Sequence, residues 1–507
     1  AEQWFTALRQ NDVPSKLVLY PDESHLFILS GKPSHREDFN RRVVDWVREH
    51  AENRRPLDAK HWQRRLSALA KKHGVPGAAL GILRDGEIVQ AHHGVLSVKT
   101  GVEVDDETVF QIGSISKVWT STVVMQLVDE GLLDLDAPIA DVLPELKLAD
   151  PVVAQKVTMR HLLTHTSGID GDVFTDTGRG DDCLERYVDQ LVEVKQNHPL
   201  GATFSYCNAG FTLAGRVIEK LTGQTWDTAM RERLYSPLGL THTGTLPEEA
   251  LMHRAAVGHI TKDDELQPAP VWQLPRSMGP AGTIFATTGD VLAFARMHLD
   301  LGLAHDGERV LSEAAAAQMT EKQTDLPDPN ALGDSWGLGW IRFGWDGQRL
   351  IGHDGNTIGQ SAFLRVLPEQ RLAVTLLTNG GRARELYLDL YREIFAELAG
   401  VAMPRPLEPA AEPPAVDTAR HVGKYERDSV RFDITEGENG LRLKTTLLGP
   451  LAGVVPEPPE VDLVPLSDSL FVCRDSEEQS WTSVVFYALP TGERYMHSGV
   501  RATPKVS

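Results

Sequence analysis

The stretch Gly113-Ser-Ile-Ser-Lys117 leads directly into an apolar segment, Val118-Trp-Thr-Ser-Thr-Val-Val-Met-Gln-Leu-Val128. Ser114 and Lys117 are three positions apart, so a helix places them on one face, one turn from each other. An amine beside a hydroxyl activates it as a nucleophile, and a helix N-terminus favours negative charge there. A match this short recurs by chance. On its own it is more typical of a helix start with a solvated lysine.

Further motifs follow in a defined order. Tyr206-Cys-Asn208 begins 92 residues after Ser114, and His353-Asp-Gly355 begins 239 residues after it. Three supporting signatures are Leu162-Leu-Thr-His-Thr-Ser-Gly-Ile169, Gly282-Thr-Ile-Phe-Ala-Thr-Thr-Gly-Asp290 and Trp336-Gly-Leu-Gly-Trp340. The set resembles the serine β-lactamase and penicillin-binding-protein superfamily, in its class C β-lactamase, DD-peptidase and family VIII esterase branch. Residues from about 57 to 400 carry the resemblance.

The predicted elements agree with that resemblance. Strands over Gly77–Leu83 and Glu87–His93 precede a long helical stretch, and further strands over Trp336–Phe343, 349–352, 360–367 and 372–378 follow it. Strands at both ends with helices between them predict an α+β fold, one mixed sheet with a helical subdomain. The resemblance implies the β-lactamase/transpeptidase-like version of that fold.

Ser114, Lys117 and Tyr206 are the expected core of the catalytic site. Ser114 would attack a carbonyl carbon and form an acyl-enzyme, which requires a base. Partial desolvation should lower the pKa of Lys117, and a nearby cation should make Tyr206 easier to ionise. Either side chain could then act as the base, and the resemblance implies that the pair shares the proton.

Asn208, His353, Gly355 and Asn356 are the expected substrate and oxyanion residues. Asn208 could hold a substrate amide, orient the catalytic lysine, or cap the helix predicted to follow it. The resemblance places the oxyanion donors on the backbone N–H groups of Ser114 and Asn356. His353 stands where many β-lactamases have lysine, and it could relay a proton or, when charged, pair with a substrate carboxylate.

Several of these residues have structural alternatives. Tyr206 could be a core tyrosine, and His353 could be a structural, hydrogen-bonded histidine. His165, with the hydroxyl residues around it, is expected to brace a turn. Cys207 is expected to be buried filler close to the site.

Four segments are predicted along the chain: residues 1–55, 56–400, 401–417 and 418–507. The first segment is predicted as helix, strand over Lys16–Tyr20, and helix, an α-β-α remnant. It resembles the C-terminal end of prolyl-oligopeptidase-family hydrolases through Leu17-Val-Leu-Tyr-Pro-Asp-Glu-Ser-His25, Gly31-Lys-Pro-Ser-His-Arg36 and Asp45-Trp-Val-Arg-Glu-His50. His25 takes the place of that family's triad histidine, but the chain has no G-x-S-x-G elbow, so we expect His25 to have no catalytic partner. The segment is predicted to pack on the main body or to mediate self-association.

The last two segments are predicted from composition and pattern. Residues 401–417 contain Pro404, Pro406, Pro409, Pro413 and Pro414, which is typical of a semi-rigid linker. Residues 418–507 have short strand-like runs separated by turn residues such as Glu438-Asn-Gly440 and are predicted to be all-β. They resemble the lipocalin-like domains appended to some members of the superfamily.

The composition of the chain limits the kinds of molecule that we expect it to bind. A net charge of −20 over 507 residues argues against nucleic acid or an anionic membrane as a partner. The three cysteines do not form a disulfide framework, and no zinc spacing is present, so neither metal nor cofactor is expected. No apolar run reaches membrane-spanning length and no signal-like stretch follows Ala1. We therefore expect a cytoplasmic protein, with a cleaved or upstream segment left open.

The leading functional hypothesis is a Ser-Lys-Tyr hydrolase that cleaves a small-molecule or peptide ester or amide. Histidine in place of lysine at position 353 favours a DD-peptidase, D-aminopeptidase or esterase over a dedicated β-lactamase, and weak β-lactamase activity is compatible with it. The second hypothesis is a penicillin-binding-protein-type thioesterase or acyltransferase that cyclises peptides. The third is a penicillin sensor that acylates and stalls, against which the intact Lys117, Tyr206 and His353 argue. Homo-oligomerisation is left open.

Overall fold

The computed structural model describes residues 2–10, 15–24, 26–51, 56–262, 265–437, 440–449, 457–476 and 479–507. The chain divides into two compact units, Ala1–Pro56 and Leu57–Ser507. In the part of the chain that is described, no helix is both long and apolar enough to span a bilayer.

The described residues of the first unit form three helices: α1 (Glu2–Gln10), α2 (Phe27–Ser30) and α3 (Pro33–Ala51). The strand predicted over Lys16–Tyr20 is wrong, because residues 15–20 have no regular secondary structure. A strand requires a pairing partner, and the described residues of this unit supply no second strand. Instead, Tyr20 packs its ring on Phe27 at a centroid distance of 4.8 Å and donates a hydrogen bond to Asp38 at 2.9 Å. His25 lies outside the described residues, so its lack of a catalytic role stays a prediction, as does the role of the segment.

The second unit contains both helices and strands. Its helices are α4 (Ala59–Lys72), α5 (Ser116–Asp129), α6 (Pro151–Lys156), α7 (Met159–Leu163), α8 (Cys183–Asp189), α9 (Asn208–Thr222), α10 (Trp226–Met230), α11 (Pro247–Ala250), α12 (Gly279–Gly282), α13 (Thr288–Leu299), α14 (Glu313–Thr320) and α15 (Ala383–Ala399). Short 3₁₀ turns lie at Gly113–Ile115, Ile139–Asp141, Gln190–Glu193, Arg276–Met278 and Pro368–Gln370, and a π-helical turn at Arg231–Tyr235.

Before residue 401, the described strands form one large sheet and two small ones. They are β1 (Gly77–Arg84), β2 (Glu87–Gly94), β3 (Thr108–Gln111), β4 (Arg254–Ala255), β5 (His259–Lys262), β6 (Glu265–Pro268), β7 (Phe285–Ala286), β8 (Thr324–Asp325), β9 (Ser335–Trp336), β10 (Ile341–Trp345), β11 (Gln348–Asn356), β12 (Ser361–Leu367) and β13 (Leu372–Thr378). The large sheet has the order β2-β1-β13-β12-β11-β10-β9-β8, and its ladders are antiparallel. The predicted α+β class is confirmed, although the large sheet is antiparallel and not mixed.

Tight turns set the register of this sheet. Asp85-Gly86 joins β1 to β2 and Asp346-Gly347 joins β10 to β11, and all four residues have positive φ, as a two-residue type I′ hairpin requires. The single strand predicted over Trp336–Phe343 is wrong. It divides into β9 and β10 because residues 337–340 form a turn, in which the Gly337 N–H donates to the Trp340 carbonyl at 2.8 Å.

The helices pack on both faces of the sheet. One core joins α5, α9 and α13 to one face, and a second core joins α4 and α15 to the other. Helix α5 is buried on nearly every side, which explains why its sequence is apolar all round rather than amphipathic.

Residues 401–417 contain no helix or strand, and after them the chain forms a second eight-stranded sheet. Its strands are β14 (Gly423–Arg427), β15 (Val430–Gly437), β16 (Gly440–Leu447), β17 (Val461–Pro465), β18 (Leu470–Cys473), β19 (Thr482–Ala488), β20 (Arg494–Ser498) and β21 (Arg501–Pro504). The bridge between Tyr425 and Lys505 joins the first strand to the chain just beyond the last, so the sheet is a nearly closed barrel. Glu438 and Asn439 of the predicted turn lie outside the described residues.

Candidate active site

Ser114 lies in the 3₁₀ turn between β3 and α5 and is half-buried. The preceding Gly113 has a φ of +52°, and a β-carbon there would lie 2.7 Å from the backbone nitrogen of Asn356. Only glycine fits this position, because any side chain would push the turn away from the end of β11. The turn therefore presents Ser114 next to that strand.

Lys117 is fully buried one turn after Ser114. Its Nζ lies 3.0 Å from Ser114 Oγ, donates a hydrogen bond to the Ala281 carbonyl at 2.6 Å, and lies 4.9 Å from the centre of the Tyr206 ring. Burial, and then the positive charge of Arg501, hold the pKa of Lys117 well below its ordinary value. The direction predicted from the sequence is confirmed, and it favours a neutral amine beside the hydroxyl.

Tyr206 lies in the extended segment that precedes α9. Its backbone N–H donates to the Val500 carbonyl at 2.9 Å, and its ring stacks on His165 at a centroid distance of 4.3 Å. Burial raises the pKa of Tyr206 and outweighs the opposing effects of Ser114 and Arg501. The prediction that this phenol ionises more easily is therefore wrong, because it considered the nearby charge without the loss of solvent.

His165 contacts the same extended segment through its ring. Its Nδ1 accepts a hydrogen bond from the Cys207 N–H at 2.9 Å, and its backbone has a φ of +57°, a conformation that few non-glycine residues adopt. The neighbouring hydroxyls of Thr164 and Thr166 bond to each other at 2.9 Å. The predicted turn-bracing role agrees with these contacts.

Asn208 is the first residue of α9 rather than its cap. The cap is Cys207, whose Sγ accepts from the Gly210 N–H at 3.2 Å. The capping role considered for Asn208 is therefore wrong by one position, and its buried amide lines the site instead. Burial raises the pKa of the Cys207 thiol to about 12, which disfavours the reactive thiolate.

His353 lies on β11 and is buried. Its Nδ1 is 2.6 Å from the Asp354 carbonyl oxygen, so the proton belongs on Nδ1 and Nε2 carries a lone pair. Burial lowers the pKa of His353 to about 3. A charged imidazole that pairs with a substrate carboxylate is thus disfavoured, since the ring is neutral at ordinary pH.

Gly355 and Asn356 end β11 against the Ser114 turn. A β-carbon at Gly355 would lie 1.9 Å from the Ile112 carbonyl oxygen and 2.9 Å from the Ser114 backbone nitrogen. The Asn356 side chain is held by Ser361, whose hydroxyl donates to Asn356 Oδ1 at 2.8 Å. This close approach brings the backbones of Ser114 and Asn356 together, as an oxyanion hole made of their N–H groups would need.

The barrel supplies residues that the sequence did not indicate. The β20–β21 hairpin turns at Gly499 and Val500, and the Ala502 N–H donates to Ser205 Oγ at 3.1 Å. The Arg501 guanidinium lies 5.4 Å from the centre of the Tyr206 ring and donates to Asp172 at 2.6 Å. No motif marks this hairpin, so only the folded structure shows that it reaches the site.

A cavity of about 800 Å³ unites these parts. Ser114, Tyr206, Asn208, His353 and Asn356 line it, together with barrel residues 499–501. The structure therefore brings the predicted site residues together around one space, with Lys117 and Gly355 in the wall directly behind it.

The family model for beta-lactamases matches residues 62–397, about two thirds of the chain. The chain belongs to the beta-lactamase family. It is 50% identical over 376 residues to penicillin-binding protein 4 of Amycolatopsis lactamdurans, covering 74% of this chain and 99% of that protein. These matches confirm the superfamily indicated by the sequence motifs.

Solved structures extend the likeness to the barrel. Crystal structures of SurE, alone and with D-Leu, are 29% and 28% identical to this chain, with TM-scores of 0.72 and 0.68. Each covers 88% of this chain and 99% of SurE. The D-amino acid amidase of Ochrobactrum anthropi SV3, complexed with D-phenylalanine, shares the fold at 23% identity with a TM-score of 0.56, over 66% of this chain and 99% of the amidase.

Proposed function

We propose that this protein is a serine hydrolase that cleaves an ester or amide bond through an acyl-enzyme on Ser114. The observation that carries the proposal is the 3.0 Å approach of the buried Lys117 amine to the Ser114 hydroxyl. Because burial disfavours the ammonium form, Lys117 takes the hydroxyl proton as Ser114 attacks the carbonyl carbon.

Tyr206 completes the proton path as a phenol. Its raised pKa keeps the proton on the oxygen, so Tyr206 donates that proton to the leaving group and regains one from Lys117. The backbone N–H groups of Ser114 and Asn356 stabilise the tetrahedral oxyanion, and losing one such donor typically costs about 10²- to 10³-fold in rate. In the second half of the reaction, the same groups activate water and release the acyl group from Ser114.

The proposed substrates are esters or amides of small peptides or D-amino acids. SurE, which resembles this chain through the barrel, has been crystallised with D-Leu, and the amidase that shares the fold acts on D-amino acid amides by its name. The neutral His353 supports this choice over a dedicated β-lactamase, because it supplies no cation for the carboxylate of a β-lactam.

Acyl transfer to an amine is the second candidate function. The barrel hairpin covers Tyr206, which is only 6% exposed, and so restricts the access of water to the acyl-enzyme. A penicillin-binding-protein-type thioesterase or peptide cyclase would exploit such protection, because an amine of the substrate then competes with water for the acyl group.

The test is a panel of p-nitrophenyl esters, D- and L-aminoacyl amides, and nitrocefin, with mass spectrometry to locate the acylated residue. We expect turnover in the wild type, acylation at Ser114, and no turnover in Ser114→Ala or Lys117→Ala. Ser236→Ala, which removes an exposed serine outside the cavity, is the matched control and should keep full activity. Full activity of Ser114→Ala would refute the proposal, and a single burst without turnover would instead support the sensor hypothesis.

A further inference from the structure

The cavity that contains Ser114 continues beyond the catalytic groups. His353 and Asp354 both line it, although consecutive residues of a strand point to opposite faces of the sheet. The cavity therefore passes around the end of β11 to the face on which α15 packs. We call this second part the outer arm; it is lined by Arg384, Tyr387 and Leu388, by residues 403–407 and by residues 481–483.

The formal charges of the side chains that line the cavity do not cancel one another. Among the described residues that line it, six carry a formal charge: Asp334, Asp354, Arg365, Arg384, Arg405 and Arg501. Four of the six are paired, because Arg349 contacts Asp334, Arg365 contacts Asp354, and Asp172 contacts Arg501. The two that remain, Arg384 and Arg405, are both arginines of the outer arm.

These two arginines are placed to meet a ligand from two sides. Arg384 belongs to the first turn of α15 and shares one helix face with Tyr387 and Leu388, three and four residues later. Arg405 comes from the proline-rich segment that forms another wall. Both side chains are exposed, and no described residue forms an ion pair with either of them.

The surplus of positive charge is local to the arm. The whole chain carries a net charge of −20. The two unpaired arginines therefore give this part of the cavity a charge of the opposite sign to that of the whole molecule. Planar guanidinium groups recognise carboxylate and phosphate oxygens through paired N–H donors.

We propose that the outer arm binds an anionic group, a carboxylate or a phosphate, at the end of the substrate remote from the carbonyl that Ser114 attacks. This inference rests on the proposed function, since it assigns a second contact to the same substrate. Arg384 and Arg405 make the contact and select substrates by charge. The neutral His353 takes no part, which leaves the arm as the cationic part of the cavity.

The test compares matched substrate pairs that differ by one anion. In the first series of substrates, mono-p-nitrophenyl esters of dicarboxylic acids are compared with p-nitrophenyl esters of simple acids of equal carbon number, over acyl chains from four to ten carbons. In the second series, S-acetylpantetheine 4′-phosphate is compared with S-acetylpantetheine, which places the anion on the leaving group. The enzymes are the full-length wild type, Arg384→Ala, Arg405→Ala, the double variant, and Arg64→Ala, an exposed arginine of α4 outside the cavity.

We expect the wild type and Arg64→Ala to prefer the anionic member of at least one pair by roughly five- to tenfold in kcat/KM, the size expected for two solvated ion pairs. The preference should fall in each single variant, vanish in the double variant and weaken with salt, while the neutral esters keep their rates. The substrate series that shows the preference identifies the anion as a carboxylate or a phosphate. Absence of a preference in both series, or a preference that survives in the double variant, would overturn the inference. The proposed function fails by a different result, namely turnover of the neutral esters by Ser114→Ala.

Discussion

Burial decides the protonation states of the three side chains that carry the proposed chemistry. It lowers the pKa of Lys117, raises that of Tyr206 and lowers that of His353. Each group is thereby held in its uncharged form: an amine, a phenol and an imidazole. A neutral resting site suits a reaction that begins by moving one proton from Ser114 to its neighbour, because no buried charge has to be neutralised first.

Arg501 should set the pH at which this site becomes active. Activity needs Lys117 in its neutral form, so kcat/KM should rise with pH through the pKa of Lys117. The positive charge of Arg501 helps to lower that pKa, whereas Asp172 and Cys207 oppose it. In Arg501→Gln the pKa of Lys117 should rise, and the rising limb of the pH profile should move to higher pH.

The pH profile of kcat/KM for a p-nitrophenyl ester measures this shift. Arg501→Lys keeps the charge and is the matched control, so its limb should stay near that of the wild type. At a fixed pH on the limb, the glutamine variant should be slower than the lysine variant. A limb that does not move, or that moves to lower pH, would contradict the role of Arg501.

At the residue scale, the motifs predicted which side chains meet but not their surroundings. Ser114, Tyr206 and His353 were found through order and spacing, although up to 239 residues separate them. The ionisation of Tyr206 was predicted wrongly, because the sequence does not show that a barrel hairpin covers the ring. A pKa depends on the solvent that the whole fold excludes, and no local pattern records this.

The end of β11 and the Ser114 turn should tolerate no added atom between them. A β-carbon at Gly355 would overlap the Ile112 carbonyl and press on the Ser114 nitrogen. Gly355→Ala should therefore separate the two proposed oxyanion donors, and we expect kcat/KM to fall by about 10²-fold or more. Acylation kinetics with a p-nitrophenyl ester, together with thermal unfolding, measure the effect.

Gly289→Ala provides the matched control for that substitution. Gly289 lies in the first turn of α13, where the nearest atom to an added β-carbon is 3.6 Å away, an ordinary contact. Alanine there should leave activity unchanged and stability equal or slightly higher. Equal activity of Gly355→Ala and wild type would show that the strand end does not build the oxyanion site.

At the element scale, prediction succeeded where local chemistry determines the structure. The strands predicted over Gly77–Leu83 and Glu87–His93 are confirmed as β1 and β2, which pair through the tight Asp85-Gly86 turn. Lys16–Tyr20 failed as a strand because pairing, not propensity, makes a strand.

At the scale of the whole molecule, the carboxylate of Asp172 joins the barrel to the rest of the second unit. Asp172 accepts hydrogen bonds from two barrel arginines, Arg427 and Arg501. Asp170 supports the junction by accepting from the Asp428 N–H at 2.8 Å. Because Arg501 also faces Tyr206, the contact that stabilises the junction is the contact that places the barrel at the proposed site.

Removing the Asp172 charge should destabilise the protein strongly. In Asp172→Asn the buried Arg427 and the half-buried Arg501 lose the carboxylate that they share, and Arg427 keeps only Asp170 at 3.9 Å; breaking a buried pair typically costs about 3–5 kcal/mol. Urea unfolding of the second unit at pH 7 measures the loss. Asp189→Asn, which changes an exposed carboxylate at the end of α8, is the control and should stay within about 0.5 kcal/mol of the wild type.

The pH dependence separates this charge effect from a loss of packing. Burial raises the pKa of Asp172, but the charges and hydrogen bonds of Arg501 and Arg427 outweigh it and hold the pKa below its ordinary value. The stabilising contribution is therefore complete above the unfolded pKa of about 3.9 and is lost as the pH falls through the lower folded value. Wild type and Asp172→Asn should thus converge in free energy of unfolding as the solution is acidified below about pH 4. A difference that persists unchanged in acid would mean that Asp172 acts through shape, and that Arg501 reaches the site without help from its charge.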